Sequence, residues 1–437
     1  MVLSVVVKQK LFRIAEIAHL RIFGHEMGEE MRRFLGNLSW SFFGGGIASV
    51  IMLFINIFAG RLIGPEGYGK YALIASVSQI VMLFTVFGLD VASVRIISKE
   101  ASVENKSKYI SSAFYFVLIT IVSLILTYLF FDKFVLHYFG LESDLILFTV
   151  IFTCFFSLRS ILDVSIRGLG LFKEQFIART MESLTIFILF IIFFIYFKKI
   201  NYQNYILILS GGAFVISLFY FRKLRIFFTK FDHPSLNRQL SYGKLIFIGS
   251  IFGSIFNSAD KVVIAKYLSI TQLGIYGAYF TVSTNLILQL VQVFANPFLP
   301  AAAKSASYAF IEKLNKVFYW GFVPCLFIIS SMIFLLMKFF GSAYNHNIGY
   351  VFVFGLLATL QIVSSVNYIV ISAISENLYK KYIIKITIIN LFNFLIYFIL
   401  IYLQLVTILT IVGTLILNSI VTIMLQKRMI LNFLEKR

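Results

Sequence analysis

Tyr109-Ile-Ser-Ser-Ala-Phe-Tyr-Phe-Val-Leu-Ile-Thr-Ile-Val-Ser-Leu-Ile-Leu-Thr-Tyr-Leu-Phe-Phe131 runs 23 residues without a charged side chain, between Lys106 and Lys108 before it and Asp132 and Lys133 after it. A helix rises about 1.5 Å per residue, so about 20 apolar residues cross the ~30 Å hydrocarbon core of a bilayer. This segment is therefore a membrane span. Working outward by the same rule gives further segments near 38–58, 71–90, 145–166, 180–197, 203–221, 243–265, 276–298, 317–337, 348–372, 382–403 and 405–425, twelve in all. The last two meet at the tight link Tyr402-Leu403-Gln404-Leu405. Composition agrees: the 437 residues are 60% hydrophobic and 13% charged, with a mean hydropathy of +0.92, more apolar surface than one soluble core can hide. The 51 Phe and 23 Tyr suit the hydrocarbon zone and the interfacial belts.

The formal charge of +19 is strung along short loops rather than gathered in one domain, which argues against nucleic acid as partner. Counted by loop, one side carries 28 Lys and Arg and the other only 7, namely Arg61, Lys70, Lys133, Lys198, Lys199, Lys266 and Lys338. Basic residues are retained in the cytoplasm, so both termini are expected there, and an even number of spans follows. The first 37 residues are charged yet place Leu11, Ile14, Ile17, Ala18 and Ile22 at helical spacing. An interfacial helix, a tail, or a translation start at Met27 or Met31 all fit that pattern. Cys154 and Cys325 each lie in a long apolar run, so disulfides do not organise the fold.

The halves resemble each other weakly. A shift of 205 residues aligns Arg61-Leu62-Ile63-Gly64 with Lys266-Tyr267-Leu268-Ser269, and Gly69-Lys70-Tyr71 with Gly274-Ile275-Tyr276. A six-span repeat returns the chain to the same side, so the halves would share one orientation about an axis along the membrane normal, with a substrate route between them. The expected organisation is an amino-terminal segment at 1–37, an N-lobe of six spans at 38–221, a linker at 222–242, a C-lobe of six spans at 243–425 and a tail at 426–437. Between the first two spans, Gly64-Pro65-Glu66-Gly67-Tyr68-Gly69 predicts a tight reversal, because Pro65 ends a helix and glycine permits positive φ.

Ionisable groups in lipid cost about 2.5–3.5 kcal/mol each on insertion scales, so deep ones are functional candidates. Arg159, Asp163 and Arg167 share one face of span 4. Two readings of Arg159 stand: a self-neutralising pair with Asp163, or a cation lining a cavity. Span 7 carries Ser250, Ser254, Asn257 and Lys261 in one stripe with Asp260 beside it, and Gly249 and Gly253 on a neighbouring line would admit a second helix. Lys261 is either a cavity cation or a snorkelling interfacial lysine, and Asp260 either an ion-coupling site or half of a salt bridge. Span 8 puts Asn285, Gln289, Gln292 and Asn296 on one face, amides that suit sugar hydroxyls but also join helices at about 0.6 kcal/mol per bond. Glu182 and Lys385 lie near the basic ends of spans 5 and 11, where they close a gate or face water, water being favoured. There is no Walker loop, dinucleotide fingerprint or Cys/His cluster, so no cofactor and no internal use of ATP is expected.

The stretch Arg61-Leu-Ile-Gly-Pro-Glu-Gly-Tyr-Gly-Lys-Tyr-Ala72, followed by Phe87-Gly-Leu-Asp-Val-Ala-Ser-Val-Arg-Ile-Ile-Ser-Lys99, resembles the opening signature of Wzx-type polysaccharide flippases of the multidrug/oligosaccharidyl-lipid/polysaccharide (MOP) exporter superfamily. Ile166-Arg-Gly-Leu-Gly-Leu-Phe-Lys173 and Asn257-Ser-Ala-Asp-Lys-Val-Val-Ile264 add to the resemblance. It implies an all-α membrane protein of two six-helix lobes around a central cavity. It also implies alternating access and transfer of an undecaprenyl-diphosphate-linked oligosaccharide from the cytoplasmic to the periplasmic leaflet of the inner membrane, with a polysaccharide polymerase and a chain-length regulator as partners. On that reading Arg159, Lys261, Asn257, Asn285, Gln289, Gln292 and Asn296 receive the substrate, while Asp260, Asp163, Glu182 and Lys385 couple ions or gate. Two rivals stand: a polymerase or ligase of the same pathway, which would carry a long periplasmic loop that this chain lacks, and a drug or cation antiporter of the same superfamily, which would favour acidic cavities.

Overall fold

The computed structural model describes residues 46–139, 143–198, 200–291 and 308–434. The amino-terminal segment, Gln292 and Asn296 lie outside the described residues. All regular structure among the described residues is helical. In chain order the helices are α1 (Ile47–Val86), α2 (Leu89–Lys99), α3 (Val103–Phe139), α4 (Ser143–Gly168), α5 (Phe172–Phe197), α6 (Tyr202–Leu224), α7 (His233–Tyr267), α8 (Ile270–Phe280), α9 (Tyr308–Phe340), α10 (Ile348–Ile374), α11 (Glu376–Tyr402) and α12 (Ile408–Leu434).

α1 contains two spans. Forty residues of straight helix would extend roughly 60 Å, about twice the hydrocarbon thickness. At Gly64 the backbone leaves the helical region, with φ 73° and ψ 172°, and Pro65 begins the next helix. The contacts show that the chain doubles back there. Gly60, four residues before the break, accepts a 2.6 Å hydrogen bond from Tyr344, and Tyr68, four residues after it, packs its ring 6.3 Å from that of Tyr344. Likewise Asn56 accepts a 2.9 Å bond from Tyr205, whose ring lies 4.9 Å from Tyr71. Residues 56 and 71 would stand roughly 22 Å apart along an unbroken helix, too far to share one tyrosine. The reversal expected from the Gly-Pro sequence is therefore present, so among the described residues α1 with α3 to α7 and α9 to α12 makes eleven spans, and α8, continued as helix to residue 291, takes the place of the remaining one.

The chain reverses between α11 and α12, with Gln404 at φ 56° and Asn393 donating to Asn418 across the two helices at 2.7 Å. Two elements depart from expectation. The short helix α2 follows span 2 after a left-handed break at Phe87 and Gly88. Of the linker expected at 222–242, residues 222–224 end α6 and residues 233–242 form the first part of α7. That helix starts at His233, capped by the Asp232 carboxylate on the Ser235 amide at 2.9 Å. It bends by 44° between 233–248 and 253–267. A Cβ on Gly253 would meet nothing within 4 Å, so this glycine does not seat a neighbouring helix; it lies at the bend, as Gly and Ser pairs do in kinked helices.

Two seams join the first six spans to the last six. On the face opposite Ile47 and Leu434, the start of span 2 packs on α8. A Cβ on Gly69 would stand 1.9 Å from the Ile270 carbonyl oxygen, and one on Gly274 1.7 Å from that of Pro65. Only glycine lets the backbones meet so closely. Tyr68, fully buried, reaches Thr281 of the α8 extension at 3.1 Å. On the basic face, the first part of α7 crosses onto the end of span 2, α2 and span 3. Phe87 stacks on Phe247 at 4.3 Å, Gln239 donates to Ser93 at 2.9 Å, and Ser112 donates to the Asp232 carbonyl at 3.0 Å.

Candidate functional site

Among the described residues, each half holds a buried ionic cluster. In the first, Arg159 of α4 pairs with Glu182 of α5 at 3.0 Å and lies 5.5 Å from the centre of the Phe156 ring. Glu182 is only 8% exposed, so it does not face water as the sequence suggested. The i, i+4 pair of Arg159 with Asp163 is also absent. Asp163 pairs instead with Arg167 at 3.1 Å, one helical turn later, and accepts from Gln175 at 3.0 Å and from Tyr220 at 2.8 Å. The physical reason is rotation. α5 brings Glu182 to Arg159, while Asp163 keeps Arg167 of its own helix as its charge partner and gains Gln175 of α5 and Tyr220 of α6, since a carboxylate takes up to about four donors. A buried charge without such partners would be strongly unfavourable.

In the second lobe Asp260 is 1% exposed. It accepts a short hydrogen bond from Tyr276 of α8, and Lys261 Nζ lies 3.3 Å from its Oδ1. The same ammonium sits 4.6 Å from the centre of the Phe280 ring, a cation–π contact worth about 0.5–2 kcal/mol as water is withdrawn. Tyr276 is the residue that aligns with Tyr71 in the repeat. The same shift sets Ile55 and Asn56 against Asp260 and Lys261, so the acid–lysine pair belongs to one lobe only.

Arg159 and Lys261 thus sit in separate clusters, each with its own carboxylate. The structure does not bring them together as one cationic site. Asn257 lies in the second part of α7, one turn before Lys261. Asn285 and Gln289 are exposed, and they continue at intervals of four the row formed by Gly277 and Thr281, which touches span 2. A π-helical stretch at Thr281–Asn285 widens the turn there, offsetting the drift that a spacing of four produces in an α-helix. Lys385 is exposed on α11. Among the described residues no three His, Cys, Asp or Glu side chains gather as a metal site, and Cys154 and Cys325 are free thiols.

Sequence reasoning missed the tyrosines. Tyr68, Tyr205, Tyr276, Tyr279 and Tyr344 are all at most 1% exposed and gather beneath the opposite-face seam, where their hydroxyls satisfy two carbonyls, an amide, a carboxylate and the Thr281 hydroxyl. Their abundance in the sequence was the available signal, but it reads equally as an interfacial belt.

Membrane-length helices in two packed halves, with hairpins meeting at a glycine seam, define a multi-pass all-α membrane protein, and its fold is that of solved MOP-superfamily transporters. Solved structures agree. An inward-facing multidrug-resistance MATE transporter of the MOP superfamily is 15% identical, with 89% of this chain and 96% of that one aligned and a TM-score of 0.67. The outward-facing form gives 15% identity, 92% and 96% coverage, and 0.57. A MOP transporter from Pyrococcus furiosus, described as having a binding pocket of reverse polarity that suggests a different function, gives 15%, 90% and 95%, and 0.55. A family model for polysaccharide biosynthesis proteins matches residues 34–306, more than half of the chain, and the protein belongs to that family. No curated protein matches the sequence.

Proposed function

We propose that the protein carries a polyprenyl-diphosphate-linked oligosaccharide across the bacterial inner membrane, from the cytoplasmic to the periplasmic leaflet, by alternating access of its two lobes, with both termini cytoplasmic. The observation that carries this reading is the glycine seam in a polysaccharide-biosynthesis chain. Repeat-equivalent glycines, Gly69 and Gly274, meet where the halves would separate, so opening there parts two closely apposed backbones together with the tyrosine-rich core packed beneath them. On the basic side of that seam, Asn285 and Gln289 offer donors and acceptors to sugar hydroxyls; Asn257, Gln292 and Asn296 are candidates for the same role by sequence alone. Arg159 and Lys261 contact the diphosphate only if it competes with Glu182 and Asp260, which gives those acids, with Asp163, a gating or ion-coupling role. Lys385 remains a gating candidate on α11. The polymerase and the chain-length regulator of the pathway are the partners this role calls for.

Deleting the gene and extracting lipids tests the reading. Unpolymerised lipid-linked sugar should accumulate on the cytoplasmic face, and restoration should require the native chain. Normal polysaccharide without accumulation would reject it.

A further inference from the structure

A second charged region stands apart from both lobe clusters. On the basic face, a pocket of about 520 Å³ opens between α2 and the first part of α7, lined by Arg95, Lys99, Glu100, Arg238, Ser241 and Tyr242. Three cations face one carboxylate. Both guanidinium groups are held in place: Arg95 donates to the Tyr242 hydroxyl and lies 4.9 Å from its ring centre, and Arg238 donates to Tyr109 at 2.7 Å and lies 5.8 Å from that ring. A guanidinium carries five N–H donors in a fixed fork, and the tyrosine takes one of those of Arg238. Glu100 is occupied by its own loop, accepting from the Ser102 amide at 3.3 Å and from Asn105 at 3.5 Å. Those bonds, with a smaller contribution from the charge of Arg238, hold its carboxyl below the usual carboxylate range.

We propose that this pocket binds a phosphate ester at the membrane surface and thereby fastens the first part of α7 to α2. Arg95 and Lys99 come from one side of the seam and Arg238 and Ser241 from the other, so a phosphate with several acceptor oxygens adds a bridge between elements that already meet through Phe87 and Phe247, Gly88 and Gly243, Ser93 and Gln239, and Arg95 and Tyr242. Basic pockets between spans on the face rich in Lys and Arg are where anionic head groups settle. Two lipids supply this chemistry, an anionic phospholipid and a polyprenyl diphosphate. The site stands whether or not the chain flips oligosaccharides.

The test uses the full chain in phosphatidylcholine nanodiscs, with phosphatidylglycerol added in one arm and farnesyl diphosphate in the other. Hydrogen exchange is read over 89–99 and 233–242. A ligand at ten times its Kd slows exchange through opening about tenfold. Slowing by phosphatidylglycerol alone assigns a phospholipid head group, slowing by farnesyl diphosphate alone assigns a diphosphate lipid, and slowing by both assigns the phosphate common to them. Arg238→Gln, and separately the pair Arg95→Gln with Lys99→Gln, should lose the effect while residues 253–267 keep native protection, which shows that the variants fold. Lys244→Gln, exposed nearby but outside the pocket, should keep it. No slowing in either arm, or equal slowing in Arg238→Gln, would overturn the assignment.

Discussion

Gly69 and Gly274 face each other across the two halves of the molecule: a Cβ on either would lie 3.0 Å from the other's amide nitrogen and under 2 Å from a carbonyl oxygen of the facing helix. The two glycines also align in the sequence repeat, so the contact joins equivalent points of the lobes.

Substituting either glycine should therefore do more than remove flexibility. Gly274→Ala forces a methyl group against backbone, which cannot rotate away, and overpacking of this kind costs about 1–3 kcal/mol. We expect a lower thermal midpoint and loss of surface polysaccharide, with the protein still in the membrane. Gly253→Ala, where a Cβ meets nothing within 4 Å, should leave the midpoint close to native. Equal midpoints in the two variants would remove the seam from the account.

The Arg159–Glu182 pair gives a second expectation. Removing one member of a buried pair costs about 3–5 kcal/mol because the other charge is left uncompensated, and the 28% exposure of the Arg159 side chain places this pair at the lower end. Glu182→Ala should destabilise more than Glu182→Ala combined with Arg159→Ala. A double-mutant cycle on thermal or denaturant unfolding measures the difference, and additive losses would show that the pair is not coupled.

Lys261→Ala strips the counter-ion from a carboxylate that is almost completely buried. Asp260→Asn keeps the shape and leaves Lys261 its contact with Phe280. We expect Lys261→Ala to be the less stable of the two, and the pair Lys261→Ala with Asp260→Asn to recover part of the loss. If Asp260 couples transport to an ion, Asp260→Asn abolishes polysaccharide export without lowering the amount of protein; undiminished export in that variant would leave Asp260 a purely structural role.

Acid should loosen the start of α7. Bonds from the side-chain hydroxyl and the amide of Ser235 hold the Asp232 carboxyl below its ordinary range. A depressed carboxylate stabilises above its unfolded pKa, and that contribution fades as pH falls through the lower, folded value. Native protein and Asp232→Asn should then differ in thermal midpoint at neutral pH and converge at strongly acid pH. A gap that widens on acidification would contradict the cap.

The spans and the Gly64 reversal were legible because they rest on local chemistry: twenty apolar residues, a proline, a glycine. The charge partners were not. Periodicity places Arg159 and Asp163 on one face, but which carboxylate meets the guanidinium depends on how α5 turns against α4, and no spacing within one helix encodes that. The start of α7 read as a loop because its polar residues, Gln239 and Arg238 among them, are those of a helix docked on other polar groups, and no lipid-facing stripe marks it. Of the proposed amides, Asn285 and Gln289 fall on the row facing span 2, whereas Gln292 and Asn296 lie outside the described residues.

The most direct test of alternating access fixes the seam. Gly277 and Ala72 face each other, a Cβ on Gly277 lying 3.3 Å from that of Ala72, close to the spacing of about 3.5–4.5 Å that a disulfide spans. In a chain with Cys154 and Cys325 replaced by serine, Ala72→Cys with Gly277→Cys should stop surface polysaccharide when oxidised and restore it on reduction. Full export with the bridge quantitatively formed would contradict the separation of the lobes on which the account rests.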